Sequence, residues 1–203
     1  MAETIETDVL IIGAGATGAG VMRDLALRGI ASILIDQGDL NAGASGGNHG
    51  LLHSGGRYAA ADSDTAAECR TEGNILKRIA PECIDDCGGL FVAVEGDDET
   101  FARDFPTNCA AAGLPCSELT PDEARSRESA LPETVIAAFA VPDATLDPYT
   151  LGLENVDHAL NLTESRYLPH TGVERFAVEN GRITAVHCHD LRSGAAVTIR
   201  AAQ

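Results

Sequence analysis

An α/β fold built on a doubly wound parallel sheet is what this sequence predicts, and three observations predict it. Asp8-Val-Leu-Ile-Ile12 is a continuous apolar run of strand length, and Gly13-Ala-Gly-Ala-Thr-Gly18 follows it without a linker. From about Gly15 to Arg28 the apolar residues Val21, Met22, Leu25 and Ala26 fall at helical spacing, with Gly29 as a fitting C-terminal stop. Ala31-Ser-Ile-Leu-Ile35 is a second apolar run, closed by Asp36. Strand, helix and strand of these lengths make a βαβ unit. Strands that are apolar throughout, rather than alternating, imply a parallel sheet covered on both faces.

Composition bounds the rest. The chain has 203 residues, 44% of them hydrophobic, with 31 acidic against 14 basic side chains and a net charge of −17. That apolar fraction is too high for a disordered chain, and the uncharged run Val9 to Met22 is broken by glycine and short of the roughly 20 apolar residues of a membrane helix. Nucleic acid is excluded as a partner, because the basic residues are scattered and no stripe of them offsets the repulsion of phosphate. With no Trp and eight aromatic residues, the core must be built from Ala, Val, Ile and Leu. The acidic start Met1-Ala-Glu-Thr-Ile-Glu6 lacks the basic and apolar runs of a secretory signal, so an intracellular protein is expected. Lys77 is the only lysine; carboxylates in such excess hold water and salt cations, a halophilic bias. Six cysteines in an intracellular chain read as free thiols. No metal site is expected, since alternation points His187 and His189 to one face of a strand and Cys188 to the other.

After Asp36, Gly43 to Tyr58 holds six glycines and reads as extended loop. Helices are expected over Thr65–Ile79, Glu99–Ala112, Pro121–Ser126 and Pro148–Leu160, the third opened by Thr120 and Glu123 as a capping box. Strands are expected over Gly89–Val94 and Val135–Val141. The tail alternates over Val173–Val178, Ile183–His189 and Val197–Ala201, with turns at Asn180-Gly181 and Ser193-Gly194, and reads as a β-meander. No closing element follows its last strand, so a fragment of a longer protein is expected.

The chemistry begins at Gly13-x-Gly15-x-x-Gly18. Strand before, helix after and an acid closing the next strand make this a dinucleotide-binding fingerprint: backbone N–H groups and the positive helix end face a pyrophosphate, and Asp36 accepts from the adenosine ribose hydroxyls. A carboxylate there disfavours a 2′-phosphate and therefore NADP. The following segment separates FAD from NAD. A nicotinamide domain would continue into an amphipathic helix, whereas Gly43–Tyr58 brings main chain and the polar Ser45, Asn48, His49, His53 and Arg57 close to something flat, such as a flavin.

Three stretches carry a narrower resemblance. They are Ala44-Ser-Gly-Gly-Asn-His-Gly-Leu-Leu-His-Ser-Gly-Gly-Arg-Tyr58, Ala67-Glu-Cys-Arg-Thr-Glu-Gly-Asn-Ile-Leu-Lys-Arg-Ile-Ala80 and Val141-Pro-Asp-Ala-Thr-Leu-Asp-Pro148. With the glycine fingerprint, the chain from Thr7 to Ala202 resembles the flavin-carrying chains of the anaerobic, quinone-linked, FAD-dependent glycerol-3-phosphate dehydrogenases, within the amino-acid-oxidase-like superfamily. The resemblance implies a Rossmann-like FAD domain with an inserted α+β cap, incomplete at its C-terminus: residues 1–90 as its first part, 91–147 as part of the substrate cap, and 148–203 as the return to the FAD domain. It implies oxidation of sn-glycerol 3-phosphate to dihydroxyacetone phosphate by hydride transfer to flavin, with electrons passed through partner subunits to membrane quinone. A cytoplasmic protein held at the inner face of the membrane by those subunits follows from this.

Carried over by residue, Gly13, Ala14, Gly15, Ala16, Thr17 and Gly18 hold the pyrophosphate, Asp36 and Gln37 the adenosine ribose, and Ser45, Gly46, Asn48 and His49 the flavin. Val173 lends its backbone to the adenine. Arg57 and Tyr58 meet the substrate phosphate, for which a guanidinium fork is suited. By its own chemistry His53 is the candidate to take the proton of the C2 hydroxyl, and a hydrogen bond to the flavin or packing within the loop is the other reading of that histidine. The chain departs from the family pattern at Gly47, where Arg is common, and so lacks one positive charge beside the cofactor. Two other readings stand beside this one: a dehydrogenase or oxidase of the same superfamily acting on an amine or 2-hydroxy acid, and a truncated product that binds nucleotide without turnover.

Overall fold

The computed structural model describes residues 3–202, which form two compact units: residues 3–49 with 147–202, and residues 50–146. The first begins with β1 (Glu3–Thr7), β2 (Val9–Ile12), α1 (Ala16–Leu27) and β3 (Ser32–Ile35). Beyond α1 the Gly29 N–H donates to Ala26 C=O and the Ile30 N–H to Leu25 C=O, the two bonds of a Schellman motif. It needs a left-handed residue, and Gly29 supplies one at φ +75°. As expected, β2 and β3 are adjacent and parallel, with Val9 opposite Ser32 and Ile12 opposite Ile35.

The second unit contains β4 (Leu51–Leu52), α2 (Ser63–Ile79), a 3₁₀ turn at Pro81–Cys83, β5 (Ile84–Asp85), β6 (Gly89–Val94), α3 (Glu99–Ala111), β7 (Ser117–Leu119), α4 (Pro121–Arg127), β8 (Val135–Val141) and β9 (Ala144–Leu146). It has two antiparallel sheets, ordered β4-β9-β5 and β6-β8-β7. Phe105 of α3, 1% exposed, packs among Cys109, Leu114, Phe139 and Val141, with Phe91 stacked on it at 4.8 Å between ring centroids. The capping box forms: Thr120 Oγ1 accepts from the Glu123 N–H, and the Glu123 carboxylate accepts from the Thr120 N–H. Hydrogen bonds donated by the Thr120 N–H and hydroxyl hold the Glu123 carboxyl below its ordinary range. Residues 50–90 pack with 91–146 in this unit, where β4 and β5 both pair with β9.

The chain returns to the first unit with α5 (Pro148–Leu162), β10 (Arg166–Leu168), β11 (Thr171–Glu179), β12 (Arg182–Asp190) and β13 (Ala196–Ala201). β10 joins β3 in parallel, giving the order β10-β3-β2. The tail is the expected meander, β11-β12-β13, extended by β1, which pairs in parallel with β13. This makes three layers. Leu34 points from β3 into a cluster with Met22, Ala26, Val156 and Ala159 of α1 and α5. Ile33 and Ile35 point the other way, against Val186, Cys188 and Ile199 of the meander. β3 is therefore buried along its whole length, Ser32 included, as a strand covered on both faces should be. β2 is not covered in the same way, because it lies at the end of its sheet with Ile12 53% exposed.

The glycine-rich segment differs from the extended loop the composition implies. Backbone bonds from Gly46 N–H to Gly43 C=O, Gly47 to Ala44, Tyr58 to Gly55 and Ala59 to Gly56 wind it into consecutive turns, interrupted by the short β4. Glycine disfavours a sustained helix through its entropy, and single turns escape that cost.

A charge of −17 on a chain of this size repels itself, and salt screens that repulsion within about 10 Å at 0.1 M. The thermal unfolding midpoint should therefore climb steadily between about 0.1 and 2 M KCl, well beyond the range where an ordinary acidic protein levels off. A midpoint insensitive to KCl in calorimetry would contradict the halophilic reading.

Candidate functional site

In the first unit the fingerprint residues gather at the carboxyl ends of β2 and β3. The Gly13 N–H donates to Ile35 C=O at 2.8 Å, tying the loop to the neighbouring strand. Ala14 is fully buried, Gly15 caps α1, and Ala16 and Thr17 are exposed. Gly18 is buried so tightly that a Cβ there would lie 1.9 Å from the Gly13 carbonyl oxygen. The other α-helices each have a side-chain cap, Asp62, Asp98, Thr120 and Asp147 in order. α1 has no side-chain cap from its own N-cap residue, Gly15, and no acid in its first turn. Its N-terminus, bounded by glycine and free of negative charge, is the arrangement a phosphate anion requires.

Ser45 and Asp36 build the rim. Ser45 Oγ accepts from the Ala16 N–H at 2.9 Å, and a Cβ on Gly15 would meet that oxygen at 2.8 Å. Asn48 Nδ2 donates to Ser45 C=O at 2.6 Å, bracing the turn, while Gly46, Asn48 and His49 stay exposed. The Asp36 carboxylate accepts the Ala14 N–H on Oδ2 and the Gly38 N–H on Oδ1, both at 2.7 Å. Each oxygen retains a lone pair for a further donor, and the adjacent Gln37 is exposed.

Sequence reasoning passed over two neighbours. His170, at φ +53°, sets Nε2 2.9 Å from Asp39 Oδ1. Tyr167 of β10 buries its hydroxyl with no hydrogen-bond partner among the described residues, and burial, with Asp36 and Asp39 adding, pushes the phenol up to about 12. β10 spans three residues and carries no pattern that would have revealed either. Val173 lies half-buried in β11 opposite Cys188, against the cluster around Ile35.

Removing the Asp36 carboxylate would take away a charged acceptor and free both the Ala14 and Gly38 N–H groups. Asp36→Ala should weaken FAD retention by roughly 1.5–3 kcal/mol, or about 10- to 150-fold in Kd. Equilibrium dialysis of flavin checks this, and an unchanged Kd removes Asp36 from the site.

The other site residues fall in the second unit. The β4–β9 pairing brings His53, just beyond β4, opposite Asp143, just before β9, with Nδ1 3.5 Å from Asp143 Oδ2. Ser54 donates its N–H to Asp143 Oδ1 at 2.7 Å and its hydroxyl to the same oxygen. Arg57 and Tyr58 are exposed on the turns that follow, and no hydrogen bond or ion pair occupies the Arg57 guanidinium among the described residues. The placement of Asp143 beside His53 was not legible in the sequence because β4 and β9 are two and three residues long, too short for a strand pattern. Cys109, fully buried in this unit, has its thiol pushed up to about 12 by burial and by the nearby Cys116, which leaves it inert as a nucleophile.

A βαβ unit with a glycine-rich, acid-free helix start, an acid closing the second strand and a meander packed beneath defines a dinucleotide-binding domain. Comparison narrows the class: the family model for FAD dependent oxidoreductases matches residues 8–202, and the chain belongs to that family. It is 39% identical over 189 residues to the A chain of the anaerobic glycerol-3-phosphate dehydrogenase of Haemophilus influenzae, covering 92% of this chain and 33% of that protein. It is 40% identical over 178 residues to the A1 chain of the same enzyme in Haloferax volcanii, covering 88% of this chain and 30% of that protein. Among solved structures it superimposes on the Bacillus halodurans glycerol-3-phosphate dehydrogenase complexed with FAD at a TM-score of 0.71, with 22% identity over 98% of this chain and 33% of that one. The chain thus spans about a third of the length of the relatives it matches.

The residues present fit FAD. The glycine-bounded, acid-free α1 terminus, the tight Gly15–Ser45 approach and the remaining lone pairs of Asp36 are what its pyrophosphate and ribose need.

Proposed function

We propose that this chain supplies the FAD-binding and part of the substrate-binding machinery of a glycerol-3-phosphate dehydrogenase, which oxidises sn-glycerol 3-phosphate to dihydroxyacetone phosphate and sends the electrons to membrane quinone. The observation that carries the reading is the 39% identity, across nine-tenths of the chain, to a relative of that name.

FAD, when bound, supplies the hydride acceptor. Gly13 to Gly18 hold its pyrophosphate against the α1 N-terminus, Asp36 and Gln37 take the ribose, Val173 meets the adenine, and Ser45, Gly46, Asn48 and His49 line the flavin. Arg57 pairs with the substrate phosphate and Tyr58 packs beside it. His53 takes the proton of the C2 hydroxyl, so that the electron pair of the C2–H bond can leave as hydride. The substrate cap lies within residues 91–147, and residues 148–203 belong with the FAD domain. The relatives are named as single subunits of a larger enzyme, which supports partner subunits here as well. No helix among the described residues is long and apolar enough to cross a membrane, so attachment to the inner face of the cell membrane would come through those partners.

Anaerobic addition of glycerol 3-phosphate to the FAD-loaded protein tests the reading. The flavin absorbance should bleach with glycerol 3-phosphate and not with glycine, proline or lactate. Bleaching by an amine or 2-hydroxy acid alone would move the protein to another branch of the family, and a colourless protein would leave nucleotide binding without turnover.

A further inference from the structure

We propose that Asp143 is the positioning residue for His53: it holds the Nδ1–H tautomer, so that Nε2 is the nitrogen able to accept a proton. The proposal rests on the reading of His53 as the base.

The sheet register creates the pair. Leu51 faces Thr145 and Leu52 faces Ala144, so the next residue on each strand, His53 and Asp143, come opposite each other. Asp143 is 7% exposed, and its two oxygens have separate tasks. Oδ1 takes both the N–H and the hydroxyl of Ser54, while Oδ2 lies 3.5 Å from His53 Nδ1. The carboxylate has little room to turn. A Cβ on Gly89 would sit 2.7 Å from the Asp143 Cβ and 3.3 Å from its Cγ, and Lys77 Nζ donates to the Pro142 carbonyl at 3.1 Å, fixing the residue before it. The 3.5 Å separation is long for a hydrogen bond, in the range that closes when a catalytic site fills.

The direction of the proton follows from the donor inventory. A carboxylate at neutral pH only accepts, so the imidazole nitrogen facing it must carry hydrogen, and the lone pair falls to Nε2. Asp143→Asn should invert this. The two donors of Ser54 claim the amide oxygen, which turns the amide NH2 toward His53 Nδ1. Nδ1 then has to accept, and the proton moves to Nε2.

Two-bond 1H–15N correlation spectra of the intact, FAD-loaded protein with 15N-labelled histidine report the tautomer, and His53→Gln identifies the His53 signals. In the parent, Nε2 should be the unprotonated nitrogen; in Asp143→Asn it should be Nδ1, with the other histidine signals unmoved. A parent His53 protonated on Nε2 overturns the proposal, as does an unchanged tautomer in folded Asp143→Asn. If that variant does not fold, the parent spectrum alone decides. Turnover separates this proposal from the reading beneath it. The switched tautomer should lower kcat by roughly 10²- to 10⁴-fold with KM and flavin content held. A switched tautomer with unchanged kcat would instead remove His53 as the base while leaving the Asp143–His53 contact standing.

Discussion

Arg57→Ala should lower kcat/KM for glycerol 3-phosphate by roughly 30- to 1000-fold, the consequence of losing about 2–4 kcal/mol of charged hydrogen bonding to an anion that persists in the transition state. Flavin content should hardly change. The structure supports the separation: Arg57 is exposed on the turns after His53, its guanidinium engaged by no hydrogen bond or ion pair among the described residues, so its removal orphans no protein group. Glycerol lacks the phosphate, and its slower oxidation should be almost insensitive to the change. Steady-state kinetics on both substrates decides the matter. A loss within about threefold for glycerol 3-phosphate, or an equal loss for both, would return Arg57 to an ordinary surface residue.

Gly18→Ala should be the most damaging single methyl group in the chain. A Cβ at this position would lie 1.9 Å from the Gly13 carbonyl oxygen, 3.1 Å from its carbon and 3.3 Å from Leu34 Cδ1. Backbone cannot rotate aside as the end of a side chain can, so α1 must lift off the sheet. Overpacking of this kind costs about 1–3 kcal/mol or more out of a total stability of roughly 5–15. The lift also displaces the N–H groups meant for the pyrophosphate. Urea denaturation should show the lost stability, and the purified protein should arrive with little flavin. Gly20→Ala is the control, because a Cβ there meets nothing within 4 Å. Equal behaviour of the two variants would refute the packing argument.

What the sequence revealed and what it hid divide along physical lines. β3, α1 and the meander were legible because each carries a long periodic or continuous apolar signal, and Gly29 and Glu123 marked ends by their local chemistry. β1 reads as polar, Glu3-Thr-Ile-Glu-Thr7, and becomes a strand only because β13 offers it a partner. β4, β5 and β9 are two or three residues each, shorter than any pattern, and exist only as a mutual pairing. The same limit hid Asp143, whose place in the site is a matter of register. The glycine fingerprint and Asp36 were readable because their spacing is itself the mechanism. The roles of His53 and Arg57 came from resemblance.

The pairing of β1 with β13 sets Thr4 against Thr198, so the first described strand can find its partner only once the chain has been made as far as β13. At about 5–20 residues per second, a ribosome needs roughly 10–40 s to cover that distance. Throughout that time Glu3–Thr7 has an open ladder of N–H and C=O groups. Its two glutamates then serve the nascent chain, since charge on an unpaired strand discourages pairing with a neighbouring copy. Exchange of Glu3 and Glu6 for valine should leave the fold little changed and raise the fraction of newly made chains that aggregate before β13 is made.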